Sequence, residues 1–184
     1  DIQIDSKNNI YGISDYRYNY AIEYGKEYPN KVLVKITPDK KLHILAGNTS
    51  KLEQDFKLEK IYSSKDPLSI PIHPLSLFID KNDNLYLIDQ LYSYKKNPDN
   101  EMFGEYENSI IVRKFDKNMN MSIYAGDINK SKYYINTDIN ENSINKSSNE
   151  LVLDSSNFRG SKIDENGNIY FIGSDNSIYK IEYN

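Results

Sequence analysis

The residues of this chain with most chemistry to offer are two histidines, seventeen tyrosines and an aspartate that returns three times in the same phrase. The recurrent carboxylates are Asp5, Asp80 and Asp164, each following an isoleucine and opening a polar turn. Asp80 with Asp83 and the amide of Asn84 offers the hard oxygen donors that calcium takes. The spacing lacks the glycine and terminal glutamate of an EF-hand loop. An Asp ahead of a tight turn also accepts backbone N–H bonds and holds the hairpin, so turn-holding is the expectation and no metal is assigned. With only His43 and His73 present, neither a histidine-rich metal centre nor a Ser-His-Asp machine has many ways to form. No phosphate loop, zinc-protease helix signature or nucleophile elbow occurs either. The chain is expected to bind rather than catalyse, with no catalytic residue and no cofactor.

The elements that must carry these residues come from a repeat. Ile4 to Tyr11, Ile79 to Tyr86 and Ile163 to Tyr170 are three gapless copies of one phrase, reading as a strand, a polar turn and a second strand. A third strand follows in each unit: Leu33 to Thr37, Val112 to Asp116 and Ile178 to Glu182. Leu42 to Gly47 and Met121 to Gly126 supply a fourth strand ending in Ala-Gly, and the last unit has no counterpart. Four short antiparallel strands in tandem predict an all-β chain, a β-propeller of four-stranded blades. The expected blades are 1–47, 74–126 and 158–184, joined by long loops over 48–73 and 127–157, all in one domain.

The phrases resemble the NHL-repeat family, whose units run Pro-x-Gly-aliphatic-x-aliphatic-Asp, then Gly-Asn-aliphatic-Tyr, then an aliphatic-x-Lys-Phe strand and an Ala-Gly ending. Pro74 to Asp80 with Asn84 to Asp89 and Val112 to Asp116 matches best, and Phe158 to Asp164 keeps Gly160. The resemblance implies a propeller whose relatives include metal-dependent lactonase-like enzymes and a lyase with a histidine-held metal. Neither constellation maps onto this chain, and such a hydrolase or lyase with a central-funnel site stands as the alternative to a binding or scaffold module. In the propeller frame, His73 precedes an innermost strand at Pro74 and Arg159 lies close to the equivalent place in the third unit. The two are candidate funnel contacts for a ligand, or polar residues in a wet channel. His43 falls in an outer strand where the second unit has Ser122, and reads as a surface residue.

The copies lie farther apart than the roughly 40 to 50 residues of ordinary blades, so the excess must sit in spacers. These are 15–30, 48–73, 90–108 and 127–157, and in an up-and-down unit all of them leave from one end. Insertions gathered on one end of a repeat array mark a binding face. Eleven of the 17 tyrosines fall in the spacers. Tyr16, Tyr18, Tyr20, Tyr92 and Tyr94 lead them as candidate partner contacts, since tyrosine offers a stiff, amphipathic surface for protein or glycan. The competing reading packs the same rings onto their own blades.

Bulk properties remove other classes. The 23 basic and 27 acidic residues give a net charge of -4, without the basic footprint that phosphate binding needs, so nucleic acid is not expected as a partner. No apolar stretch approaches the roughly 20 residues of a membrane span. Without cysteine there are no disulfides or thiolate sites, and no compartment follows. A secreted or cell-surface setting is the expectation that partner binding carries. The first phrase catches only the end of an innermost strand and the last unit lacks its fourth, so completion of the ring by further blades of a longer chain, or by a second copy, is expected.

Overall fold

A computed structural model describes residues 1–16, 30–47, 64–97, 100–126, 161–164, 166–172 and 178–181. Every element in it is a strand; among the described residues there is no helix, and hence none long and apolar enough to cross a membrane. The first sheet holds β1 (Ile2–Ile4), β2 (Ile10–Tyr16), β3 (Asn30–Ile36) and β4 (Leu42–Ala46) in chain order. The second holds β5 (Pro74–Ile79), β6 (Leu85–Asn97), β7 (Asn100–Phe115) and β8 (Met121–Ala125), and the third β9 (Ser161–Ile163), β10 (Ile169–Ile172) and β11 (Ile178–Ile181). All neighbours pair antiparallel.

One five-residue turn closes the short hairpins. In the β1/β2 turn the Asn8 N–H donates to the Asp5 carbonyl and the Asp5 N–H to the Asn9 carbonyl, and Asn8 takes a positive φ of 60°. This is a type I turn followed by a left-handed residue, whose twist suits a three-residue hairpin loop. The same pattern recurs at Asp80, Asp116 and Asp164 and, with threonine in place of the acid, at Thr37. The left-handed residues there are Asp83, Met119, Gly167 and Lys40. At Asp5, one carboxylate oxygen accepts the N–H of Lys7 and Asn9 at 2.9 and 2.8 Å, and the other accepts the Asn9 amide and the Tyr11 hydroxyl. Asp80 and Asp164 repeat all four bonds. The turn-holding role expected of these aspartates is therefore what they perform. A lysine from the third strand covers the ring of each bonded tyrosine: Lys35 on Tyr11, Lys114 on Tyr86 and Lys180 on Tyr170, at 5.6, 5.4 and 5.9 Å.

Strand alternation gives each sheet two faces, and the sheets stack through them. Tyr11 and Leu33 of the first sheet pack in one cluster with Leu77, Leu85, Leu87, Phe115 and Met121 of the second. Tyr86, Ile88 and Val112, from the opposite face of the second sheet, pack with Ile169 and Ile181 of the third. The second sheet is thus buried on both sides, which explains the unbroken apolar run from Leu85 to Ile88. Its first strand also touches the first strands of the other two sheets, β1 and β9.

The Ala-Gly endings have a steric cause. Ala46 and Ala125 are fully buried opposite Leu33 and Val112, beside a register shift in each sheet. Gly47 and Gly126 then turn the chain away with φ of 103° and 95°, where an added Cβ would stand 2.5 and 2.7 Å from the carbonyl oxygens of Lys31 and Ile110. Both the dihedral and the space require glycine.

One expected spacer differs from the sequence reading. Residues 90–108, expected as a loop, are largely strand: β6 and β7 pair from Leu85↔Phe115 out to Asn97↔Asn100. Backbone pairing continues there beyond the apolar stretches that read as strand in the sequence. The described end of the connection 48–73 is a loop, as expected, and it reaches into the core. Ile70 and Ile72 are buried between the first two sheets, and Ile72 bridges Lys31.

Candidate functional site

The short turns gather at one end of the sheets. Asp83 accepts the Ser6 N–H at 2.9 Å and the Ser6 hydroxyl at 2.6 Å, joining the first hairpin turns of sheets one and two. The Tyr124 hydroxyl donates to the Gly167 carbonyl at 3.0 Å and joins the second sheet to the third sheet's turn. The opposite end therefore carries the β2/β3 and β6/β7 connections and the entry into β5.

From that opposite end a two-stranded ribbon projects. β5 accompanies β6 only as far as Asp89, opposite Pro74, and β8 accompanies β7 only as far as Val112. Beyond those points β6 and β7 pair with each other alone, bringing Tyr92 into register with Asn108 and Tyr94 with Tyr106. Isolated two-stranded ribbons are marginal in water, so this one depends on its root.

The root is a buried ion pair. Asp89 and Arg113 are both fully buried, with the Arg113 Nε donating to Asp89 Oδ2 at 2.7 Å. The other Asp89 oxygen accepts the His73 backbone N–H at 2.7 Å, and the His73 carbonyl accepts the Gln90 N–H at 3.0 Å. Arg113 also reaches the Met121 sulfur at 3.8 Å. One carboxylate thus fixes β6, β7 and the chain entering β5 where the ribbon departs. Leaving either charge without the other would strand an ion in a dry site, so the pair acts as an all-or-none brace.

A concave region lies where the first strands meet. Asp1, Gln3, Leu75, Ser76, Leu77, Phe78, Ile79, Ser161, Lys162 and Ile163 line a cleft of about 620 Å³. The Ser76 hydroxyl donates to the Asp1 carboxylate at 2.8 Å and ties β5 to the residue ahead of β1. The cleft offers one carboxylate, one ammonium group and hydroxyls, a set suited to hydrogen-bonding a polar ligand. Among the described residues no group of three or more histidines and carboxylates is placed to hold a metal ion.

The carboxylates of the turns have depressed pKa values. For Asp116 and Asp164 the leading cause is the side-chain amide bond from Asn120 and Asn168 respectively, and for Asp83 it is the Ser6 hydroxyl. Burial pushes Asp5 upward, but the bonds from Asn9, Tyr11 and Lys7 outweigh it and the net shift is downward. Burial, followed by the bond to Asp5, raises the Tyr11 hydroxyl well above its usual value. These shifts belong to hairpin turns and mark no reacting group.

The site residues named from sequence fall in three places. Tyr92 and Tyr94 stand on the ribbon, and Tyr16 ends β2, paired with Asn30 at the same end of the molecule. Half-buried His73 sits at the ribbon root, one residue before β5, while the first-strand cleft begins two residues along at Leu75. Tyr18, Tyr20 and Arg159 lie outside the described residues. His43 is exposed on β4, as its outer-strand position implies. Sequence reasoning missed Asp89 and Arg113. The available signal was a carboxylate inside the apolar run Leu85 to Leu91, facing an arginine inside the equally apolar Ile110 to Phe115.

Comparison of the chain with protein-family models, with curated proteins and with solved structures finds no match.

Proposed function

We propose that the chain is a binding module built from NHL-like units of β-propeller type, engaging a protein or glycan partner through the tyrosine-bearing end of its sheets. Tyr16, Tyr18, Tyr20, Tyr92 and Tyr94 lead that contact. The observation that carries the reading is the β6/β7 ribbon. It runs past the strands on either side of it, brings Tyr94 opposite Tyr106, and is rooted by the buried Asp89–Arg113 pair. Tyrosines carried on a paired ribbon that outruns the neighbouring strands are suited to recognition, because tyrosine contributes contact area with little rotamer entropy to lose. The reading needs neither cofactor nor metal.

The test replaces those five tyrosines by serine together. Binding is read on a glycan array and on a panel of immobilised extracellular protein domains, beside thermal melting of the same samples. The expected result is at least a tenfold loss of the wild-type signal with melting nearly unchanged. Collapse of the melt would show that the rings are packing residues and would overturn the reading, as would binding that survives all five changes.

A further inference from the structure

Register defines two kinds of sheet face. The onward face carries Tyr11, Ile13 and Leu33 in the first sheet, and Tyr86, Ile88 and Val112 in the second. In the third sheet the same places hold Tyr170, Ile172 and Ile178, with Ile172 paired to Ile178 as Ile88 is to Val112. The backward face carries Ile79, Leu85, Phe115 and Met121 in the second sheet and Ile163, Ile169 and Ile181 in the third; its positions in the first sheet are Ile4, Ile10, Ile36 and Leu42. Twice within the molecule an onward face packs on a backward face and both are buried. One face of each kind stays open. On the first sheet Ile2, Ile4 and Leu42 are 72%, 60% and 61% exposed, with Ile10, Ile36 and Ile44 also exposed beside them. On the third, Ile178 is 74% exposed and its partner Ile172 is exposed too.

We propose that the open backward face of the first sheet receives the open onward face of the third sheet of a second copy of this chain, head to tail. The junction continues the two interfaces the molecule already makes, with the same residue classes at the same register positions. An apolar patch this continuous marks an interaction surface. The occupant is a second copy because its third sheet carries Tyr170, Ile172 and Ile178 at the register positions where the two faces already received carry Tyr11, Ile13 and Leu33, and Tyr86, Ile88 and Val112. Such a contact is heterologous, since the two surfaces differ, and two copies bury all four open faces if the rotation closes. The surface is separate from the tyrosine-bearing end, so this inference stands or falls independently of the partner-binding reading.

The experiment is sedimentation of the 184-residue chain and of two double variants, Ile4→Lys with Leu42→Lys and Ile172→Lys with Ile178→Lys. All four positions are exposed, so near-ultraviolet circular dichroism and melting of the dilute variants should match wild type. The wild-type chain is expected near twice 21.4 kDa. Each variant alone should sediment at half that mass, and an equimolar mixture should recover a one-to-one pair, because each supplies the face the other lacks. Recovery should need a higher concentration than wild type, with one junction formed in place of two. A wild-type chain that stays monomeric at about 100 μM, where contacts of micromolar affinity are occupied, would overturn the proposal. So would a variant of the third sheet that pairs with itself as wild type does, which would mean first sheet against first sheet, and so would pairing unaffected by either variant.

Discussion

The first and second sheets are built from equivalent residues and live in different surroundings. Leu85 is 3% exposed where its counterpart Ile10 is 39%, and Met121 is 6% exposed where Leu42 is 61%. Strand order and the Ala-Gly ending are the same in both, and the turn chemistry differs only in that Thr37 stands where the second sheet has Asp116. What separates them is a neighbour. The second sheet has one on each side, and its strands can be apolar without interruption. That enclosure also lets it hold a charged pair, Asp89 and Arg113, where the first sheet has Ser14 and Val34. Burial here is a property of the stack more than of the single sheet.

The sharpest way to break the comparison is to remove one member of the pair. Arg113→Met leaves Asp89 charged in a dry site and is expected to destabilise the chain by about 3–5 kcal/mol. The double change Asp89→Leu with Arg113→Met should restore most of that loss, since an apolar pair fits the enclosed face. Denaturant titration of the three chains checks both, and a double variant no better than the single would show that the brace acts through its hydrogen bond to His73.

Cavity-forming changes come next and test enclosure directly. Leu85→Ala should cost about 3 kcal/mol, as buried aliphatic truncations do, and Ile10→Ala well under ~1 kcal/mol in dilute protein. Equal losses at the two positions would mean that the first sheet's open face is covered in solution.

The smallest effect is electrostatic and sets the sheets on an equal footing. Asp5, Asp83, Asp116 and Asp164 have pKa values below their ordinary ones when folded, so the unfolded chain binds protons first. Their contribution is present above the ordinary carboxylate pKa of about 4 and is lost as pH falls through the folded values. Melting temperature should therefore drop as the solution is acidified below about pH 4. Asn at Asp5 and Asp164 together should flatten that limb while lowering the melt at neutral pH, and an unchanged limb would refute the assignment.

Much of this architecture is legible in the sequence, and the illegible part has a physical pattern. The hairpin turns can be read because an Asp and, four places on, an Asn recur at Asp5, Asp80, Asp116 and Asp164, and the strands because their apolar residues alternate. The Asp89–Arg113 pair is hidden because its partners sit 24 positions apart and the related units put other residues at both places. The β6/β7 ribbon is hidden because Lys95, Lys96, Glu105 and Glu107 read as loop, although the residue types of Asn97, Pro98, Asp99 and Asn100 spell a turn in the sequence. Pairing there follows from backbone register, which composition does not record. Tyr92 and Tyr94 stand in a stretch that reads as spacer in the sequence, and the stretch is strand.

The repeated five-residue turn also bears on the order in which the chain can assemble. At Asp5, Thr37, Asp80, Asp116 and Asp164 the closing bonds span four residues or fewer. Each hairpin can therefore form before any distant segment has been found, at the microsecond pace of local closure. Contacts between sheets, such as Ser6 with Asp83 across 77 positions, carry the larger loop-closure cost and come later. A start signal in every sheet leaves no single one of them as the obligatory beginning, and the loop-closure cost places the docking of sheets face to face after the closing of their turns.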